Sequence, residues 1–87
     1  MYVILVYDVN EKHVVKMLKL CRRYLNWIQN SVFEGEITEV KLKELKQQAL
    51  ELMNTRKDSL IIFKSRNAKW LHKEIVGLEK NPLDSFL

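Results

Sequence analysis

The chain opens with Tyr2-Val3-Ile4-Leu5-Val6-Tyr7, a run of β-branched, aliphatic and aromatic residues with no polar alternation. Such a run predicts a strand covered on both faces or by a partner, placed at the centre of a sheet. Asp8, Val9 and Asn10 end it, and Asn10 stands where a helix cap belongs. From Glu11 to Leu25 the apolar residues Val14, Leu18, Cys21 and Leu25 recur at spacings of four, three and four, with Met17 and Leu20 beside them. That spacing predicts an amphipathic helix. Lys12, Lys16, Lys19 and Arg23 repeat it on another face, with Arg22 adjacent, so the helix carries a basic stripe.

Asn26 to Ile37 is extended in character, yet Gln29, Asn30 and Ser31 favour a turn, and one strand or a tight hairpin both satisfy the pattern. Thr38 caps a second predicted helix with apolar Leu42, Leu45, Ala49, Leu52 and Met53, running to about Asn54, with Glu39 and Lys43 on its exposed side. Asn54 to Asp58 is polar, Ser59 to Phe63 is a further predicted strand, and Trp70 to Gly77 a weaker, partly alternating one. Leu78 to Leu87 is too short for an independent helix. Its apolar Leu83, Phe86 and Leu87 would be exposed on a lone monomer, so they are expected to cover a surface or pair with a sheet edge, a partner's included. If Asn26 to Ile37 folds back on itself, the order is βαββαβ, the ferredoxin-like split arrangement of the α+β class. That fold hosts many unrelated functions.

Length and composition narrow the picture. Eighty-seven residues make one domain, and 47% hydrophobic with 30% charged residues excludes a disordered chain. A core this small gains from burying more surface in a homo-oligomer, so a dimer is expected. One cysteine cannot form an internal bridge, no signal-peptide pattern opens the sequence, and the longest apolar run falls far short of a membrane span; a cytoplasmic location is expected. A net charge of +4 suits a polyanionic partner.

No glycine-rich phosphate loop, zinc-spaced Cys and His set or nucleophilic triad is present. His13 and His72 lack a partner pattern, and Cys21 lies on an apolar stripe and reads as core. Asp8 differs, because a carboxylate at the end of a buried strand is costly unless it caps a helix, pairs with a base or binds a cation. A turn role and a metal role are both open from its position. Mg²⁺ usually takes one or two protein carboxylates plus water and phosphate oxygens, so a single Asp8 serves if a two-fold axis brings a second copy close. Glu34 and Glu36 are the other candidates, on a segment whose outward face is polar in any case. The stripe of Lys12, Lys16, Lys19 and Arg23, with Arg22 beside it, fits a phosphate backbone and equally a solvated helix face. Lys64, Arg66 and Lys69 form a second basic patch, expected in a loop. Trp27, Phe33, Phe63 and Trp70 are spaced for packing rather than base stacking.

Two segments together, Val6-Tyr7-Asp8-Val9 and Ile28-Gln29-Asn30-Ser31-Val32-Phe33-Glu34-Gly35, make the sequence resemble the CRISPR-associated protein 2 family, the small partner of the CRISPR integrase. The resemblance implies a ferredoxin-like domain over residues 1–78 and a C-terminal segment, 79–87, that adds to the sheet of the other subunit. It implies that Asp8, once from each subunit, holds Mg²⁺ or Mn²⁺ for phosphodiester hydrolysis, with Tyr7, Ser31 and Phe33 at neighbouring motif positions of the catalytic site. The implied role is in CRISPR adaptation: a homodimer that bridges dimers of the integrase, CRISPR-associated protein 1, and lays double-stranded spacer DNA across its basic surface. A metal-dependent endonuclease activity on RNA, single-stranded RNA included, or on DNA is implied beside it. Many relatives carry arginines where this chain has Lys12-His13 and Trp27, and lysine neutralises phosphate without an arginine's bidentate fork. The alternative is a stand-alone, toxin-like endoribonuclease of similar fold. A ribonucleoprotein-type RNA-binding module is disfavoured, since its glycine-rich aromatic motif is missing.

Overall fold

The structure, a computed structural model, describes residues 1–82. The expectations for Leu83, Phe86 and Leu87 lie outside the described residues. Strand β1 (Tyr2–Asp8) leads through a 3₁₀ turn (Glu11–His13) into helix α1 (Val14–Arg22). Strands β2 (Asn26–Gln29) and β3 (Val32–Glu36) follow, then helix α2 (Glu39–Leu52), strand β4 (Ser59–Ser65) and a 3₁₀ turn (Ala68–Trp70). The order is βαββαβ, and the strands form one antiparallel sheet in the spatial order β2-β3-β1-β4, with β1 between β3 and β4.

Local chemistry sets the boundaries. The Asn10 side chain accepts the Lys12 N–H at 3.0 Å, and the Thr38 hydroxyl accepts the Lys41 N–H at 3.1 Å, so each helical segment begins at a side chain that satisfies an orphan donor. The segment from Asn26 to Ile37 is a hairpin whose two-residue turn, Asn30-Ser31, joins paired Gln29 and Val32. Asn30 holds φ 44°, a left-handed conformation that asparagine tolerates better than most residues.

Among the described residues the core lies on one side of the sheet. Val3, Leu5, Tyr7 and Phe33 pack there against Met17, Leu20 and Cys21 of α1 and Leu42, Leu45 and Ala49 of α2. The expectation of a first strand covered on both faces is therefore corrected within this chain: burial alternates along β1, and Tyr2, Ile4 and Val6 are half-buried. Both helices cross over the same face, and no described element covers the other. On that open face Ile4 pairs across with Phe63 and Val6 with Ile61, and Ile61 and Phe63 are 51% and 55% exposed.

Trp70 to Gly77 is not a strand. A strand needs a hydrogen-bonded neighbour; Trp70 ends the 3₁₀ turn, and from Leu71 the chain runs without regular structure toward the β2–β3 side, where Lys73 forms an ion pair with Glu34 and, further on, the Asn81 amide donates to the Trp27 carbonyl at 2.8 Å. Among the described residues no helix is long and apolar enough to cross a membrane.

Candidate functional site

Asp8 ends the central strand, and its side chain is exposed. Alternation along β1 puts it on the open face with Ile4 and Val6, directly across from Ser59 of β4. It does not cap the following 3₁₀ turn, a task Asn10 performs, and it takes part in none of the ion pairs among the described residues. On the other side of β1, the Tyr7 N–H donates to the Ser31 carbonyl at 3.2 Å, so the hairpin turn sits beside the end of the strand.

The residues singled out beside Asp8 divide between surface and core. Ser31 is half-buried in the turn, next to the strand end. Tyr7 and Phe33 point the opposite way, into the core, with ring centroids 6.1 Å apart and planes inclined by 26°. Burial raises the Tyr7 phenol above its ordinary pKa, so it stays a neutral packing group. Of the two glutamates, Glu34 is engaged by Lys73, and Glu36 faces Tyr2 at the far end of β1 from Asp8. Neither joins Asp8. Among the described residues no three His, Cys, Asp or Glu side chains cluster as a metal site. At this strand end the described residues thus bring together one exposed carboxylate, that of Asp8, a donor set that fits a hard divalent cation only if water, phosphate or a second copy completes it.

Sequence reasoning passed over Asp58. Its carboxylate is buried between the β1–α1 and α2–β4 loops, accepting the Asn10 N–H at 2.8 Å and the Asn54 N–H at 2.9 Å, with His13 Nδ1 at 3.3 Å. The backbone N–H of Asn54, with further help from Asn10 and His13 and against the effect of burial, holds this carboxyl below its usual range. Asn54 to Asp58 reads in sequence as an ordinary polar loop. Only the antiparallel register, which sets Asp8 opposite Ser59, brings Asp58 to the loop after Asp8.

Lys12, Lys16, Lys19, Arg22 and Arg23 are all exposed. Lys16, Lys19 and Arg23 edge an open groove of about 370 Å³ between α1 and α2, where Arg23 Nη2 donates to the Gln48 side chain at 2.7 Å. Arg22 turns away, its guanidinium 5.5 Å from the centre of the Trp27 ring, within cation–π range. Lys64 belongs to β4 rather than to a loop, because that strand runs on to Ser65; Arg66 follows it and Lys69 lies in the 3₁₀ turn. Cys21 is fully buried and its thiol is pushed up to about 12, in keeping with a core role.

The family model described as CRISPR associated protein Cas2 matches residues 1–73. A Dictyoglomus turgidum protein named CRISPR-associated endoribonuclease Cas2 is 47% identical over 87 residues, which is the whole of both chains. A Thermotoga maritima protein of the same name is 45% identical over 100% of this chain and 99% of its own. A crystal structure of Cas2 superposes with a TM-score of 0.82 at 40% identity, covering 95% of this chain and 93% of that one. Streptococcus pyogenes Cas2 at pH 6.5 gives a TM-score of 0.74 at 26% identity, covering 87% of this chain and all of that one.

Proposed function

The chain belongs to the CRISPR associated protein Cas2 family, and on that premise we propose that it acts as a homodimer in CRISPR adaptation and cleaves phosphodiester bonds at a paired Asp8 site. One observation carries the reading: Asp8 is exposed on the open sheet face beside the exposed, apolar Ile61 and Phe63. Apolar surface of that kind is buried when two copies meet face to face, and the same meeting brings two Asp8 carboxylates toward one axis.

Each part of the chain has a share in the proposed reaction. Asp8 contributes the negative oxygen ligands, for which Mg²⁺ or Mn²⁺ is the matching cation; when bound, the metal supplies Lewis-acid activation of water and offsets charge on the scissile phosphate. Tyr7 and Phe33, being buried, act by holding the ends of β1 and β3 in place. Ser31 carries the turn against which the strand end rests. Lys12, Lys16, Lys19, Arg22 and Arg23 attract the nucleic-acid backbone without reading bases, whether spacer DNA or single-stranded RNA. Residues 79–87 form the segment that reaches the other subunit, and the dimer bridges integrase dimers in the cytoplasm.

The relatives are named endoribonucleases, so RNA cleavage and integration are separated by experiment. Wild type and Asp8→Ala, both verified as dimers by light scattering, are compared for Mg²⁺-dependent cleavage and for spacer integration with the cognate integrase. The expected result is cleavage reduced at least a hundredfold in Asp8→Ala with the dimer intact. Normal integration by that variant makes the protein a scaffold in adaptation, and unchanged cleavage overturns the catalytic role of Asp8. Strong RNA cleavage with no integrase binding replaces the adaptation role with a stand-alone endoribonuclease.

A further inference from the structure

Among the described residues Asp58 is the one charged side chain that is buried, with 7% of its surface exposed. Burying a carboxylate is costly, and the cost is offset only by hydrogen bonds that use its oxygens well. Here both oxygens are engaged: Oδ1 accepts from Asn10, and Oδ2 accepts from Asn54 and faces His13 Nδ1. A loop joint alone could be closed by a neutral side chain. What distinguishes this joint is its place, since Asn10 lies two residues beyond Asp8 and the β4 residue after Asp58, Ser59, is the cross-strand partner of Asp8.

We infer that Asp58 is a positioning residue for Asp8. Its carboxylate ties the loop leaving β1 to the loop entering β4, and so fixes the direction in which the Asp8 side chain leaves the sheet. The role rests on Asp8 being a metal ligand, as proposed above. A ligand at the frayed end of a strand wanders by more than the fraction of an ångström that cation binding tolerates, and buried supporting hydrogen bonds remove that freedom. His13 completes the joint from the first turn after the loop, closing the side of Asp58 that the two backbone N–H groups leave open.

The test is Mn²⁺ binding, followed by electron paramagnetic resonance on the full-length dimer, at a temperature where circular dichroism shows every variant folded. Asp58→Asn is expected to bind Mn²⁺ at least tenfold more weakly than wild type, with faster hydrogen exchange at the Asn10 amide. Asn10→Pro tests the same link should Asp58→Asn fail to fold. Asn10 already holds φ −54°, within proline's range, and the substitution deletes the N–H that Asp58 accepts. Asn10→Ala, which loses only the side-chain cap on Lys12, is expected to keep wild-type affinity. Wild-type affinity in folded Asp58→Asn or Asn10→Pro overturns the inference, as does an equal loss in Asn10→Ala. If Asp8→Ala binds Mn²⁺ as well as wild type does, the metal reading of Asp8 falls, and the positioning role of Asp58 falls with it.

Discussion

Two aspartates at neighbouring strand ends meet opposite environments. Asp8 keeps its water, while Asp58 exchanges water for two backbone N–H groups and a histidine ring. The exchange has a measurable consequence, because the folded protein holds the Asp58 carboxyl below its unfolded value of 3.8. A carboxyl depressed in this way contributes stability that is present above its unfolded pKa and is lost as pH falls through 3.8 toward the folded value. The melting temperature of the wild type should therefore drop on acidification below about pH 4, and the drop should be shallower in Asp58→Asn, as thermal melts across a pH series would show. Some slope should persist, since Glu44, hydrogen-bonded by the Tyr24 hydroxyl at 3.0 Å, is also held below its ordinary value. Nothing in the sequence around Asp58 signals this role. Asn54 is four positions away, but its other partners, Asn10 and His13, are 48 and 45 positions away, and only sheet register brings those within reach.

At the level of elements, local signals sufficed wherever a segment carries its own partner. Asn10 and Thr38 cap the residues that directly follow them, and the apolar spacing of α2 matches the face it buries, whereas α1 buries Met17, Leu20 and Cys21 and leaves Val14, the first residue of the expected stripe, exposed. The hairpin was legible as one of two options, and pairing of β3 with β1 decides between them. Asn30 is where that choice can be probed. Glycine there should leave stability within about 0.5 kcal/mol of wild type, whereas Asn30→Val should cost about 1–2 kcal/mol in urea unfolding, because a β-branched residue resists positive φ. Where the partner is not local, the pattern misled. The alternation from Trp70 to Gly77 resembles a strand, but the stretch pairs with no strand of the described sheet, and Lys73 within it is held by Glu34. Lys64 looked like part of a loop because β4 carries exposed polar residues at its end, on the outermost strand of the described sheet.

For the whole molecule, the asymmetry of the sheet matters most. Helices cover one face, and the other presents Ile4, Val6, Ile61 and Phe63 with Asp8 at its margin. Phe63→Lys places a charge in the middle of the proposed dimer face without touching the core. Light scattering should report a monomer and circular dichroism an unchanged fold; a stable dimer would move the interface elsewhere. Phosphodiester cleavage should fall in that variant together with the dimer, since each chain holds one Asp8.

The sequence by itself determined the class of the fold, the two helices with their caps, the central first strand and the prominence of Asp8, because these depend on periodicity and on residues adjacent in the chain. The tertiary structure decided that no described element covers one face of that strand, that Tyr7 and Phe33 are buried while Asp8 is not, that Arg22 lies over Trp27, and that the Asp58 carboxylate joins the two loops at the strand end. Those outcomes follow from register and helix crossing, which join residues distant in sequence, and no local pattern encodes which distant side chain will arrive.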